Sequence, residues 1–384
     1  MRVDVYNETD SAERIHWQGQ DTALDAACVP ARSLRRMEFV PARPGLHFYH
    51  SHLVAAANLE TGLYSGQAGG LLVERANEAR QYDREWVVVL KECEPFIRRT
   101  RRGCEIGYRS VTVNGRLPGH GTCVRINSGE RVLVHVLNAS ATEPRSLALP
   151  GHSFEVVALD GNPVPSPRRV HRLQVSPGER VSAFVVPLQD MHTPVEWDVG
   201  DAGADSWDYT RFGFGAVGGC GAVAGSGAMA EAGSGAVVGS GAGAGSGAAT
   251  GSDSGGTGTP AAVLEFVLTR HDAARSGFNS WSINGRGFSA AEPRPLVRLC
   301  RGLRYRLRIR NTSDEILPLH LQRHRLEIVK VGGTATAGIL KDVVTAGPRQ
   351  QLEVEFVADN RGPALFYCTR QLHRDFGLMA LIDS

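Results

Sequence analysis

The sequence predicts an all-β protein made of repeated small antiparallel units, and two observations support that prediction. Apolar and polar residues alternate with a period of two in short runs such as 134–138 and 307–311, and Gly, Pro and Asn turns separate the runs. The second observation is an internal repeat with an offset of about 170 residues, in which 152–161 aligns with 324–333. Two copies of one β unit therefore occupy the middle and the end of the chain.

A third and shorter copy opens the chain. Residues 3–7 match the alternating runs that end at Asn138 and Asn311. In those two copies an Asn-Gly turn precedes the repeated asparagine by 24 or 27 residues, whereas only six residues precede Asn7. We therefore expect either that the first domain is truncated at its N-terminal side and lacks its opening strands, or that the start Met is misplaced.

Glycine is concentrated between the two long copies. Residues 213–260 hold 18 of the 45 glycines, mixed with Ala and Ser. Such a composition cannot bury enough apolar surface to offset chain entropy, which predicts a flexible linker over residues 204–260. A phosphate-binding glycine loop would need a strand pattern before it and a helix pattern after it, and the sequence has neither.

The overall composition argues against several classes of protein. The formal net charge is +2 and no basic block stands apart, which argues against nucleic-acid binding. No apolar run approaches the roughly 18 residues that a membrane span requires. The seven cysteines contain no C-x-x-C pair, so a thiolate zinc site or a dense disulfide scaffold is not expected. The first residues resemble a strand and not a signal peptide.

The repeated asparagine has two interpretations. Asn7, Asn138 and Asn311 each begin an Asn-x-Ser or Asn-x-Thr motif, which is an acceptor for N-glycosylation. All three occupy the same repeat position, so a shared turn chemistry explains the motif equally well.

Histidine also recurs at matching positions, in the first and last copies. His16 and His320 each lie nine residues after the repeated asparagine, and a glutamine follows each of them two positions later. Residues i and i+2 of a strand point to the same face, so each copy presents a His-x-Gln pair to one surface. His50 and His52 add two imidazoles on one face. Imidazole clusters on strands suit copper, zinc or iron.

These histidines lie in four ordered strings that resemble the copper motifs of multicopper oxidases, the laccase-like enzymes. The strings are His16-Trp17-Gln18-Gly19, Phe48-Tyr49-His50-Ser51-His52, Leu317-Pro318-Leu319-His320-Leu321-Gln322, and Cys368 followed five residues later by His373. The resemblance implies three cupredoxin-like Greek-key β-barrel domains, at residues 1–80 (partial), 81–203 and 261–384. It also implies a type 1 copper that takes electrons from a reducing substrate, and a trinuclear cluster of eight histidines that reduces oxygen to water.

Carried over residue by residue, the resemblance implies an incomplete ligand set. The retained ligands are His16 and His320 of the type 2 copper, His50 and His52 of the type 3 pair, and Cys368 and His373 of the type 1 copper. The replaced ligands are Gln18, Gln322, Tyr367 and Thr369 at the type 3 pair and Leu317 at type 1, and Leu378 fills the axial position, which is apolar in many laccases. These replacements bind copper weakly or not at all.

Three functions remain open at this point. The first is a copper-binding member of the family that holds one or two copper ions, with four-electron oxygen reduction impaired or lost. The second is a metal-free cupredoxin scaffold with a protein partner. The third is an active copper-dependent oxidoreductase that takes a small-molecule reductant, such as a phenol, or a metal ion. The resemblance also implies an extracellular or periplasmic location.

Overall fold

The structure, a computed structural model, describes residues 1–22, 27–41, 43–74, 81–118, 120, 124–127, 129–188, 196–202, 259–275, 277–360 and 362–384. Most of the predicted linker, residues 204–258, therefore lies outside the described residues. Strands dominate the described residues, as expected of an all-β protein. None of the helices described there has the length and apolar character that a bilayer crossing requires. The five cysteines described, Cys28, Cys93, Cys104, Cys300 and Cys368, have free thiols.

The first part of the chain forms two small sheets. Its strands are β1 (Arg2–Asn7), β2 (Glu13–Gln18), β3 (Cys28–Val29), β4 (Ser33–Glu38), β5 (Gly45–Ser51) and β6 (Ala68–Val73), with a 3₁₀ turn at Gly62–Ser65. β1 pairs with β4, and the other four strands form a sheet in the order β3-β2-β5-β6. The alternating run at residues 3–7 thus lies in β1, which pairs antiparallel with β4.

The middle part begins with a long hairpin. Its strands are β7 (Arg84–Thr100), β8 (Gly103–Val113), β9 (Val132–Asn138), β10 (Arg145–Ala148), β11 (His152–Leu159), β12 (Asn162–Val170), β13 (Leu173–Val175), β14 (Arg180–Pro187) and β15 (Asp198–Asp201). The short strands form a separate sheet in the order β13-β10-β15.

The last part repeats this succession of strands. It contains β16 (Ala262–Arg275), β17 (Phe278–Ile283), β18 (Pro295–Arg298), β19 (Arg304–Asn311), β20 (Leu317–Leu321), β21 (Leu326–Val331), β22 (Thr334–Lys341), β23 (Val343–Ala346), β24 (Gln351–Val357), β25 (Ala364–Cys368), a short helix α1 (Gln371–Asp375) and β26 (Met379–Asp383). A sheet in the order β18-β26-β25-β20-β23 carries the end of the chain.

Two copies of one six-strand order make up the largest sheet. The first copy is β12-β11-β14-β9-β7-β8, and the sheet continues in reverse as β17-β16-β19-β24-β21-β22. The copies meet where β8 runs parallel to β17. Each copy has a bulge at the equivalent place, after Val156 in β11 and after Ile328 in β21. The internal repeat of the sequence is therefore a repeat of the fold.

Strand β9 shows how the alternating pattern produces this sheet. Val132, Val134 and Val136 are fully buried in the core, and burying each contributes roughly 1.5–3 kcal/mol. Leu133 and His135 alternate with them and therefore lie on the outer face of the sheet. One strand thus supplies both core packing and side chains for the surface that faces β5 and β6.

A buried ionic cluster joins the three parts of the chain. The guanidinium of Arg180 bonds to the carboxylate of Asp342, and its Nε donates to the carbonyl of Leu46 at 3.1 Å. Lys341 Nζ lies 3.2 Å from Oδ2 of Asp160. Only 1% of Arg180 and 2% of Lys341 is exposed, so these charges depend on one another for compensation.

The repeated asparagines are buried at turns. Oδ1 of Asn138 accepts the backbone N–H of residue 140, and Oδ1 of Asn311 accepts that of residue 313. The Nδ2 atoms donate to backbone carbonyls, for example from Asn138 to Val175 at 2.7 Å. Asn7 makes the equivalent bonds. The structure thus favours turn chemistry over glycosylation as the reason for the repeated motif.

Candidate metal centre

Two pairs of neighbouring strands carry the predicted histidines. β2 pairs antiparallel with β5 and places His16 opposite His50, whereas β20 pairs with β25 and places His320 opposite Tyr367. Side chains directly opposite each other in an antiparallel pair lie on one face, so each pair offers two rings to one surface. His52 follows immediately after the end of β5.

The four imidazoles come together although 304 residues separate His16 from His320. The Nε2 atoms of these two rings are 3.2 Å apart. The centroid of the His16 ring lies 5.3 Å from that of His50, 5.6 Å from that of His52 and 5.3 Å from that of His320. Two nitrogens bound to one tetrahedral ion are about 3.3 Å apart, and their rings about 5 Å apart. The ring spacing therefore fits a single metal ion.

The nitrogens are less well arranged than the rings. In the positions they occupy, no three His, Cys, Asp or Glu side chains of the described residues form a group that could hold a metal ion. The ring centroids are at the spacing of metal ligands, but the ring nitrogens do not all point to one position. His16 and His320 are at ligand spacing, and the rings of His50 and His52 must turn to join them.

Hydrogen bonds determine which ring nitrogens are available. His50 Nδ1 lies 2.8 Å from the carbonyl of Ser51, and His320 Nδ1 lies 2.8 Å from the carbonyl of Asp342. A carbonyl oxygen only accepts, so each Nδ1 donates its hydrogen and each Nε2 keeps a lone pair. His52 Nε2 is buried and has no hydrogen-bond partner among the described residues. The lone pairs that a metal requires are therefore present inside the cluster.

Burial keeps these imidazoles neutral. It lowers the pKa of His50 and of His52 well below the usual value, and the neighbouring His16 and Arg374 lower it further. Burial, with a smaller contribution from His16, lowers the pKa of His320 to about 4. Neutral imidazole is the form that binds metals, so these three rings are in that form at pH 7.

Three of the positions that the resemblance marks as replaced bond to neighbouring backbone. Gln18 Nε2 donates at 2.8 Å and Thr369 Oγ1 at 2.6 Å to carbonyls of the turn at residues 177–178. Gln322 Oε1 accepts a backbone N–H of β25 at 3.1 Å. Thr369 and Gln322 thus stabilise adjacent segments, whereas Oε1 of Gln18 is buried and has no partner in the part of the chain that the structure describes.

The fourth replaced position, Tyr367, lies among the histidines. Its ring centroid is 5.0 Å from that of His52, 5.5 Å from that of His320 and 6.4 Å from that of His16. A phenol ring extends further from the backbone than an imidazole does. Tyr367 therefore packs against three of the four histidine rings.

The second predicted group contains Cys368 and His373. The Cys368 Sγ atom is 3.6 Å from His373 Nδ1, and both residues are buried. Burial raises the pKa of the Cys368 thiol to about 12, so the thiol is protonated at pH 7. Leu317 and Leu378 are fully buried and offer no donor. Two donors are fewer than the three that a blue copper site requires.

A carboxylate orients the His373 ring. His373 Nε2 lies 3.0 Å from Glu315 Oε2. Burial alone would raise the pKa of the Glu315 carboxyl, but His373 and Arg370 beside it hold that pKa well below its usual range. The carboxylate accepts the Nε2 hydrogen, which leaves Nδ1 toward the thiol. Glu315 lies far from His373 in the sequence, so no local pattern indicated this contact.

Comparison with known protein families places the chain in a family. Residues 98–194 match one family profile and residues 260–383 match a second, and both are described as multicopper oxidase. The chain belongs to the multicopper oxidase family. Membership in this family confirms the resemblance seen in the four motifs and implies copper as the metal.

Relatives within the family extend the match along the whole chain. The multicopper oxidase MmcO of Mycobacterium tuberculosis (strain ATCC 25618 / H37Rv) is 23% identical over 422 residues, which cover 99% of this chain and 78% of that protein. The crystal structure of a multi-copper oxidase from Pseudomonas thermotolerans superposes with a TM-score of 0.70 at 20% identity, over 100% of this chain and 88% of that one. The laccase-like multi-copper oxidase CueO of Ochrobactrum sp. gives a TM-score of 0.72 at 19% identity, with coverage of 100% and 88%.

Within the family fold, the predicted ligands fall into two groups. His16, His50, His52 and His320 lie in one cluster, and Cys368 and His373 form a pair. Sequence reasoning did not identify Glu315 or the Asp342 carbonyl, which orient a ring in each group.

Proposed function

We propose that this family member binds one copper ion at His16, His50, His52 and His320 and does not carry out four-electron reduction of oxygen. The 3.2 Å between the Nε2 atoms of His16 and His320 is the observation that supports the site most directly. Four imidazole donors suit one copper ion. When bound, copper supplies one-electron redox chemistry. The protein's own contribution is a buried set of imidazole rings, two of them oriented by backbone carbonyls.

The loss of oxygen reduction follows from the replaced ligands. In the family, electrons pass from the cysteine to the histidines on either side of it, and the corresponding positions here are Tyr367 and Thr369. Thr369 Oγ1 donates to the carbonyl of Pro177 at 2.6 Å and is not directed to a metal. Four-electron reduction also needs several metal ions held close together. The side chains at these positions cannot replace the missing imidazoles.

One observation favours a second function, that of a metal-free scaffold with a protein partner. If His320 Nε2 keeps its lone pair, His16 Nε2 can donate to it directly across 3.2 Å. The cluster can then be a hydrogen-bonded contact between the first and last parts of the chain. Buried polar groups are generally satisfied in this manner.

Copper stoichiometry distinguishes the two functions. The purified chain is stripped of metal, reconstituted with copper, desalted and measured by plasma mass spectrometry. We expect one copper per chain, and none in the double variant His16→Ala/His320→Ala. The matched control His171→Ala/His271→Ala removes two exposed histidines outside the cluster and keeps the copper.

The other outcomes select the alternatives. Wild-type protein that retains no copper after reconstitution would favour the metal-free scaffold. Three or four copper ions with rapid oxygen consumption on a phenol or a reduced metal ion would instead show a working oxidase. Unchanged copper in the His16→Ala/His320→Ala variant would refute the proposed position of the site.

A further inference from the structure

A cavity of about 390 Å³ lies between the first and middle parts of the chain, and none of the histidines of the metal cluster lines it. One wall is the outer face of β9 and β14 with the start of β7. The opposite wall contains Pro44, Gly45, Leu72 and Val73. The volume of the cavity is within the range of roughly 300–1,000 Å³ that small-molecule sites occupy.

Three strands, β7, β9 and β14, bring a chain of polar groups to the wall that they form, which we call the floor of the cavity. The register of β9 and β14 places His135 opposite Ser182, and His135 Nδ1 lies 2.8 Å from the Ser182 hydroxyl oxygen. His135 Nε2 lies 3.0 Å from Oε1 of Glu85 on β7. The hydroxyl of Tyr82 donates to the same carboxylate oxygen at 3.0 Å.

The directions of these hydrogen bonds decide what the floor can offer a ligand. A carboxylate accepts only, so Tyr82 and His135 Nε2 both donate to Glu85. His135 Nδ1 then accepts, and Ser182 must donate its hydroxyl hydrogen to it. The hydrogens of these groups are thus used within the chain of bonds. Within the described residues, lone pairs on the Ser182 oxygen and on the second oxygen of Glu85 remain for a ligand, and neither ring nitrogen of His135 is left for a metal.

The lining of the cavity also carries negative charge, which suits a ligand that donates hydrogen bonds. Glu85 lines the cavity, and no Lys or Arg is among the described residues that line it. Arg131 stacks on the Phe184 ring at 4.5 Å but is outside the lining. The remaining walls are largely apolar, with contributions from Leu72, Val73, Leu133, Val157 and Phe184. An apolar body with a single positive group complements these surfaces.

We propose that this cavity binds a small organic cation, a primary amine with an aromatic or branched aliphatic body. The ammonium group donates to Glu85 and Ser182, and the apolar body lies against Leu133, Val157 and Phe184. This site is independent of the metal centre, because it shares no residue with it. It therefore stands whether or not the chain binds copper.

Calorimetric titration of the purified chain with 2-phenylethylamine tests the proposal. We expect saturable binding that is about tenfold or more tighter than that of 2-phenylethanol, which has the same body without the charge. The anion 3-phenylpropanoate is expected not to bind. These three comparisons use the wild-type protein and require no variant to fold.

Variants test the assignment of residues. Glu85→Gln removes the charge at nearly constant volume and is expected to weaken amine binding about tenfold or more. Ala158→Leu places extra methyl groups in the cavity from its lining and is expected to abolish binding. The control Glu60→Gln removes an exposed carboxylate outside the lining and leaves binding unchanged. Thermal melting of each variant confirms that it is folded.

Other results would overturn the proposal. Absence of saturable amine binding to the wild type would refute the site, and equal affinity for the amine and the alcohol would refute the ligand class. Binding that survives both Glu85→Gln and Ala158→Leu would place the amine elsewhere on the chain.

Discussion

Around Cys368, side chains are arranged much as a copper site needs them. His373 Nδ1 lies 3.6 Å from the thiol, and Glu315 holds the far side of the same ring. At the third ligand position of the family, Leu317 is fully buried in an apolar core. An imidazole is close to a leucine side chain in size, so this position has room for a ligand. What the position lacks is a donor atom.

A single substitution tests this reasoning. Leu317→His supplies the third donor, and we expect reconstituted protein to gain one copper ion and an intense blue thiolate-to-copper absorption. Without metal the variant should lose about 1–3 kcal/mol of stability, because a polar ring is buried without a partner. Copper analysis, visible absorption and urea unfolding measure these effects. In Leu317→His/Cys368→Ser the blue colour should be absent, and a persistent colour would show that the thiol is not the ligand.

Among the elements, the turns that follow β1, β9 and β19 share one construction. An asparagine side chain closes each turn and also bonds to a neighbouring segment, as Asn311 does to the carbonyls of Glu315 and Gly347 at 2.7 and 2.8 Å. Only 1% of Asn311 is exposed, so these bonds form without competition from water. The side chain therefore links consecutive strands and has no amide nitrogen free for a glycan.

Removing this amide should destabilise the fold. Asn311→Ala leaves buried carbonyl and N–H groups without partners, and we expect a loss of about 1–3 kcal/mol in the free energy of unfolding, measured with urea. The matched control is Asn127, which is exposed and whose side chain bonds to Glu130 alone among the described residues. Its replacement by Ala should cost less than about 0.5 kcal/mol. Equal losses in the two variants, or a glycan on Asn311 after expression in a glycosylating host, would contradict this explanation.

At the scale of the whole molecule, the sequence predicts contacts between residues at matching positions of the internal repeat. It does not predict contacts between residues that the repeat does not relate. His16 and His320 could be paired because each follows the repeated asparagine by the same distance, and the alternating pattern places them on strands. The contact of His373 with Glu315 and the cavity floor at His135 could not be predicted in this way. Their partners come from distant strands, and no local spacing marks a residue as the partner of another.

The ionic cluster around Arg180 is also a property of the whole molecule. Arg180 bonds to Asp342 in the last part of the chain and to the Leu46 carbonyl in the first part. The carbonyl of Asp342 in turn accepts a hydrogen from His320 in the histidine cluster. One guanidinium group thus connects all three parts and supports the orientation of the His320 ring.

Replacing this guanidinium by an apolar side chain of similar length should therefore have a large effect. Arg180→Met leaves the buried carboxylate of Asp342 without its main compensating charge, and breaking a buried pair from one side costs about 3–5 kcal/mol. Arg172→Met breaks an exposed pair with Asp198, and such a pair contributes about 1 kcal/mol or less. Urea unfolding of both variants measures the difference. A loss for Arg180→Met no larger than that for Arg172→Met would show that water or local rearrangement compensates Asp342, and that the three parts do not depend on this cluster for their assembly.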